Sequence, residues 1–163
     1  MRIDRVYIDD PVRQFLMSVA ESRIEAKRLR LRTQRLEAQA TKLTASLTGM
    51  PRGGGDSGNL LASLADMRED SIRATIRAEE QEQKVTAFID RLENPVSRMI
   101  LKLRYCDCLD WLPRPRRRSV LTELQKVGQY YSERSLYRLH GEALNDAREL
   151  YKKEFENDES RDS

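Results

Sequence analysis

Two runs of heptad spacing, separated by a ten-residue glycine-rich break, constrain this chain more than any other feature. In the first run Phe15, Val19, Ser22, Ala26, Leu29, Thr33, Leu36, Ala40, Leu43 and Leu47 follow one another at alternating intervals of four and three. Such spacing keeps one stripe of a helix facing a partner, as along the seam of a coiled coil. Pro11 precedes the run and suits a first helical turn. The break, Gly49 to Gly58, holds five glycines and a proline and predicts a loop. The spacing then resumes with Leu60, Leu64, Met67, Ser71, Ala74, Ala78, Gln81, Val85, Phe88 and Leu92, and Pro95 ends it. Two helices joined by a short flexible tip fold back on each other. If Leu47 faces Leu60, every seam pair has residue numbers adding to 107, ending with Phe15 against Leu92. That register sets large residues against small ones, as in Leu36–Ser71, Leu29–Ala78 and Ser22–Val85.

Composition agrees with long solvated helices. Apolar residues make up 39% of the 163, charged residues 35% and aromatic residues only 6%, which suits narrow apolar stripes better than one broad core. No run approaches the ~18 consecutive apolar residues of a membrane span. The opening MRIDRVYIDD mixes charges and has no apolar signal-like core, so a cytoplasmic protein with no membrane partner is expected. Ile24, Ile72, Ile76 and Ile89 lie off the seam, where they pack on the C-terminal part or on a second copy in a homodimer.

After Pro95 the texture changes. Met99, Ile100, Leu103 and Tyr105 mark a short amphipathic helix. Pro113 and Pro115 interrupt the chain beside Arg114, Arg116, Arg117 and Arg118. Ser119 suits the cap of a third short helix carrying Val120, Leu121, Leu124 and Val127, and Gly128 its stop. Ser132 caps a final helix whose apolar stripe is Leu136, Leu139, Ala143, Ala147 and Leu150. The fold class is therefore all-α: a hairpin over residues 1–94 with tip loop 48–58, a helix-turn-helix domain over 95–156, and a disordered acidic tail over 157–163.

Enzyme chemistry finds no support. The glycine-rich break lacks the lysine and serine of a phosphate loop, and the single histidine, His140, has no triad or metal constellation around it. Cys106 and Cys108, spaced C-x-C on a helix, suit neither a mutual disulfide nor a complete zinc site, so no cofactor is expected and two reduced thiols are. The charge distribution points elsewhere. Asp110 to His140 carries seven Arg/Lys against three Asp/Glu, and Gly141 to Ser163 carries four against eight.

A turn followed by a capped basic helix is the pattern of a helix-turn-helix. With Leu136 and Leu139 inward, Arg134, Tyr137 and Arg138 point outward. Arginine can read guanine in the major groove, while serine, tyrosine and the helix N-terminus hold phosphates. Candidate DNA contacts are therefore Ser132, Arg134, Ser135, Tyr137 and Arg138, with Arg114, Arg116, Arg117 and Arg118 as a flexible basic cluster for backbone or minor-groove contact.

The segment YSERSLYRLHGEAL, Tyr131 to Leu144, resembles the recognition helix of phage and prophage late-transcription regulators of the ArpU/RinA type, whose helix-turn-helix is similar to sigma-70 region 4. Thr48-Gly49-Met50-Pro51-Arg52-Gly53 matches the hairpin tip of that group, and Leu101-Lys102-Leu103-Arg104-Tyr105 its L-x-L-R-Y pattern. Trp111 also falls in place. The resemblance implies a sequence-specific regulator acting on double-stranded promoter DNA or with host RNA polymerase in a bacterial cytoplasm. One departure is clear: Ser132 lies 21 positions beyond Trp111, where the family spacing is about ten, and Leu124-Gln125 replaces the family's Ile-Ala pair. A supporting helix placed differently follows, with the added arginines retaining nucleic-acid contact. Two other classes fit the same pattern: a packaging protein like a small terminase subunit, which forms rings, and a helical adaptor that docks proteins through its hairpin.

Overall fold

The computed structural model describes residues 10–47 and 56–156. Its helices are α1 (Pro11–Leu47), α2 (Asp56–Asp90), α3 (Pro95–Leu101) continued by a π-helical turn (Lys102–Cys106), α4 (Val120–Lys126), and α5 (Glu133–Tyr151) continued by a second π-helical turn (Lys152–Glu156). The fold is all-α, and no helix among the described residues is long and apolar enough to cross a membrane. The T-G-M-P-R-G tip and the acidic tail 157–163 lie outside the described residues. α2 begins at Asp56, inside the stretch expected as loop, because Asp and Ser are at home in a first turn even ahead of Gly58.

The chain divides into two compact units: residues 21–81, and residues 1–20 with 82–163. The division falls inside α1 and α2, whereas the sequence suggests a boundary at Pro95.

In the first unit α1 and α2 run antiparallel as an arm. Thr33, Leu64, Ala74 and Ala78 are buried, and Leu29, Leu36, Met67 and Ser71 half-buried, while most residues between them are exposed. The seam read from the heptads is thus the buried stripe, except that Leu43, expected on it, is 51% exposed. Its register differs from the expected one. Thr33 Oγ1 donates to the Leu29 carbonyl of its own helix at 2.9 Å and also lies 3.2 Å from the Met67 carbonyl of α2, where the expected register sets Thr33 against Ala74. Arg68 bonds Glu37 at 2.7 Å across the arm.

In the second unit the register departs from the expected one in the same direction. Phe15 packs edge-on against Phe88, ring centroids 5.3 Å apart, one helical turn short of Leu92. A 4-3 seam slid by half a heptad still meets a 4-3 seam, so spacing alone does not choose between these registers. The aromatics choose: Tyr151 also meets Phe15 and Phe88, at 5.9 and 6.1 Å, so the two phenylalanines share one cluster with the end of α5. Val12, Leu16, Val19, Val85, Phe88, Ile89 and Leu92 form one core with Leu101, Tyr105 and Cys106, and with Ala143, Leu144 and Ala147 of α5. Ile89, off the seam, is buried here. Asp10 ties the start of α1 to α5. Its Oδ1 accepts from the Val12 amide at 3.2 Å and caps the helix, and its Oδ2 accepts from Arg148 Nε and Nη2 at 3.0 and 2.7 Å. Burial pushes this carboxyl up, but the Arg148 bonds and charge and the α1 amides outweigh it, so it stays below its usual range.

Candidate nucleic-acid interface

Three helices build the candidate interface around a second small core of Ile100, Leu103, Val120, Leu124 and Leu136, flanked by Met99, Leu109, Trp111, Leu121, Tyr131 and Leu139. α3 starts where Asn94 accepts from the amides of Val96 and Ser97. It widens into a π-helical turn, closed by the Asp107 amide on the Lys102 carbonyl at 2.9 Å, five residues back. Cys106 sits in that turn and is buried, while Cys108, left-handed at φ +55°, leaves the helix and is exposed. Neither thiol is in a disulfide, and the C-x-C pair expected on one helix is split between a helical turn and a loop.

The arginine-rich segment is expected as a flexible cluster, yet it folds into a closed loop. The amides of Val120 and Leu121, the first donors of α4, bond back to the carbonyls of Asp110 and Trp111 at 2.8 and 3.2 Å. Ser119 and Thr122 make a reciprocal capping box. The free amides that any helix start leaves are thereby used to pin the loop shut. At its tip the Arg117 amide bonds the Arg114 carbonyl at 3.0 Å, with Pro115 and Arg116 between. Proline second and φ +61° at Arg116 third define a type II turn. Glycine is the residue this third position favours, so Arg116→Gly is expected to stabilise the fold by about 0.5–1 kcal/mol. Thermal denaturation checks this, and a lowered melting temperature would remove the turn assignment.

α4 ends on a Schellman motif. The Gln129 amide bonds the Leu124 carbonyl at 2.9 Å, the Gly128 amide bonds Gln125 at 3.0 Å, and Gly128 takes φ +80°. Four residues on, Ser132 Oγ accepts from the Ser135 amide at 3.2 Å and starts α5. The expected caps at Ser119 and Ser132 and the expected stop at Gly128 are all in place.

On α5, Leu136, Ala143 and Ala147 are fully buried and Leu139 and Leu150 half-buried. Arg134, Tyr137 and Arg138, at helical spacing i, i+3 and i+4, are all exposed on the other side, beside the exposed Ser132 and half-buried Ser135. Arg138 bonds Glu142 at 2.9 Å in an exposed pair. In the loop, Arg114 lies 3.5 Å from Asp110, and Arg118 bonds Glu123 at 3.1 Å. Glu123 also accepts from Lys126, and hydrogen bonds from Arg118 first and Lys126 second pull its pKa down to about 2. That carboxylate spends the charge of Arg118. Among the described residues, Arg116, Arg117 and Arg134 carry no ion pair.

Sequence reasoning misses how the loop meets α5. Trp111, at the loop's root, packs on His140 with ring centroids 4.5 Å apart and on Tyr137 at 5.7 Å, and the Arg104 guanidinium sits 5.2 Å from its ring. The loop root is thus held against the exposed face of α5. Tyr130 is also missed: it is 78% exposed in the turn just before Ser132, a place from which a hydroxyl can meet a phosphate.

Behind this face, the buried Tyr105 and the half-buried His140 form a pair, hydroxyl to Nε2 3.0 Å. Burial raises the phenol's pKa, so it keeps its proton beside the imidazole. Burial first, then the charges of Arg13, Arg104 and Arg148, lower the His140 pKa to about 4. With the folded value below the unfolded ~6.5, the stabilisation is fully present above pH ~6.5 and is lost as pH falls from there through about 4. The expected loss is about 2–3 kcal/mol, allowing for partial exposure. Asp10 acts lower, below pH ~4, because its pKa is depressed from 3.8. Urea denaturation between pH 7 and 4.5 isolates the histidine. His140→Gln is expected to flatten the slope, and an equal slope in both proteins would show that His140 is not its source.

Among the described residues no three His, Cys, Asp or Glu side chains gather as a metal site. Comparison of the chain with protein-family models, with curated proteins and with solved structures gives no match.

Proposed function

We propose that this chain is a sequence-specific DNA-binding regulator that reads promoter DNA with α5, in the manner of the phage and prophage late-transcription regulators it resembles. The observation that carries the reading is the two-sided α5: Leu136 and Ala143 locked into the cores, and Arg134, Tyr137 and Arg138 presented to solvent. A helix held this rigidly on one side offers its other side at fixed geometry, which base reading in a major groove requires. The division of labour follows from the charges. Arg134 and Arg138 are placed to reach base edges. Arg116 and Arg117, on a closed loop with no ion pair of their own, suit phosphates, and the capped start of α5 with Ser132, Ser135 and Tyr137 adds further phosphate contacts. Arg118 contributes less, because the half-buried Glu123, which also holds Lys126, already faces it.

Selection of duplexes from a random pool, followed by fluorescence anisotropy over a salt series, tests the reading. The expected result is an enriched site bound with a log–log salt slope of about −4, one counterion for each of roughly four to five neutralised phosphates. No enrichment and no salt-dependent binding would overturn it.

A further inference from the structure

The arm of residues 21–81 carries two features that its own seam leaves unused. One is a second apolar stripe on α2. Leu61, Ala65, Ile72 and Ile76 are separated by four, seven and four residues, lie to one side of the seam, and are exposed, Leu61 and Ile72 by 61% each and Ile76 by 49%. Water-facing β-branched residues at helical spacing mark a face that another surface covers. The other feature is a separation of charge between the two helices. From Glu21 to Leu47, α1 carries seven Arg/Lys against three Glu, whereas from Asp56 to Gln81 α2 carries three Arg against six Asp/Glu. The arm is a basic rod beside an acidic rod.

The seam between the rods is thin. Ser22, Ala26, Thr33, Ser71, Ala74, Ala78 and Gln81 bury little apolar surface, so a two-helix arm of this length gains less from its own packing than a bundle of four would.

We propose that the arm pairs with the arm of a second copy of this chain, α2 of each lying antiparallel against α1 of the other in a two-fold four-helix bundle. In that arrangement each acidic helix has basic helices on both sides, one from its own chain and one from its partner. Helical phase agrees. In an antiparallel hairpin, the α2 flank holding Leu61, Ile72 and Ile76 lies on the same side as the α1 flank holding Lys27, Arg30 and Ala38. A two-fold axis along the arm then lays Ile72 and Ile76 over the aliphatic stems of Lys27 and Arg30 of the second copy, and brings Glu79 toward its basic flank. A head-to-tail contact would bring the same chemistries together without closing, whereas the face-to-face pair uses both flanks of both copies. This pairing does not depend on the DNA-binding reading.

Sedimentation equilibrium of the full chain tests it. The expected species is twice the 19.0 kDa chain at micromolar concentration, weakened by salt. Ile72→Glu with Ile76→Glu is expected to raise the dissociation constant about a hundredfold or more while circular dichroism stays unchanged, since both positions are exposed within one chain. Lys27→Glu with Arg30→Glu, which alters only the other flank, should weaken the dimer as well. A monomer at ~100 µM, a dimer untouched by both variants, or a larger closed ring would each overturn the proposal.

Discussion

Replacing Phe88 with alanine lowers the folding stability of the chain by about 3–5 kcal/mol, the largest loss expected from any single truncation here. The ring is 1% exposed and sits where three elements meet. Phe15 of α1 packs its ring edge-on at 5.3 Å, Tyr151 of α5 does the same at 6.1 Å, and Ile89 and Leu92 belong to the same core. Alanine leaves a void lined by α1, α2 and α5 together, and three helices tied by one core cannot close it by a small local shift. Loss of the aromatic pairs adds about 0.5–1.5 kcal/mol to the lost burial. For a domain of this size the change corresponds to a fall in melting temperature of roughly ten degrees. Urea denaturation measures it directly. A loss under about 1.5 kcal/mol would show that the base of the hairpin does not share its core with α5.

The same residue shows how much of the fold the sequence makes legible. The heptads place Phe88 on a seam, and it is on one; local chemistry places Ser119 and Ser132 as caps and Gly128 as a stop, and each takes that role. These features depend on a few neighbours along the chain, so the chain states them. Register depends on what lies outside the two stripes. Matching large seam residues to small ones favours Phe15 against Leu92, but the partner that decides is Tyr151, more than fifty residues further on. The arginine loop is the opposite case. Two prolines and four arginines suggest a flexible segment, yet the orphan amides at the start of α4 and the Pro115–Arg116 turn close it, a tertiary use of backbone donors that composition does not encode. The α5 face was legible because it needs only helical spacing. The Trp111 contact with Tyr137 and His140 was not, because it joins residues across the loop.

The closed loop gives the proposed DNA contacts a second, separable readout. Arg134→Ala with Arg138→Ala is expected to weaken binding to the selected site by about 2–4 kcal/mol, a thirty- to thousandfold loss, and to narrow the gap between that site and unrelated DNA. The Arg138–Glu142 pair does not protect Arg138 from this role, because an exposed i, i+4 pair contributes only ~0.3–0.5 kcal/mol and yields to a guanine edge. Arg116→Ala with Arg117→Ala should act differently. Affinity falls for all sequences alike, the salt slope becomes shallower by about two, and the preference for the selected site is kept. Arg118→Ala should change the slope least, because Glu123 already neutralises that guanidinium at 3.1 Å. Two double variants of like charge change and one single variant, all in one unit, therefore predict three different outcomes. If the α5 pair and the loop pair lower affinity and slope identically, charge alone governs binding, and α5 does not read bases.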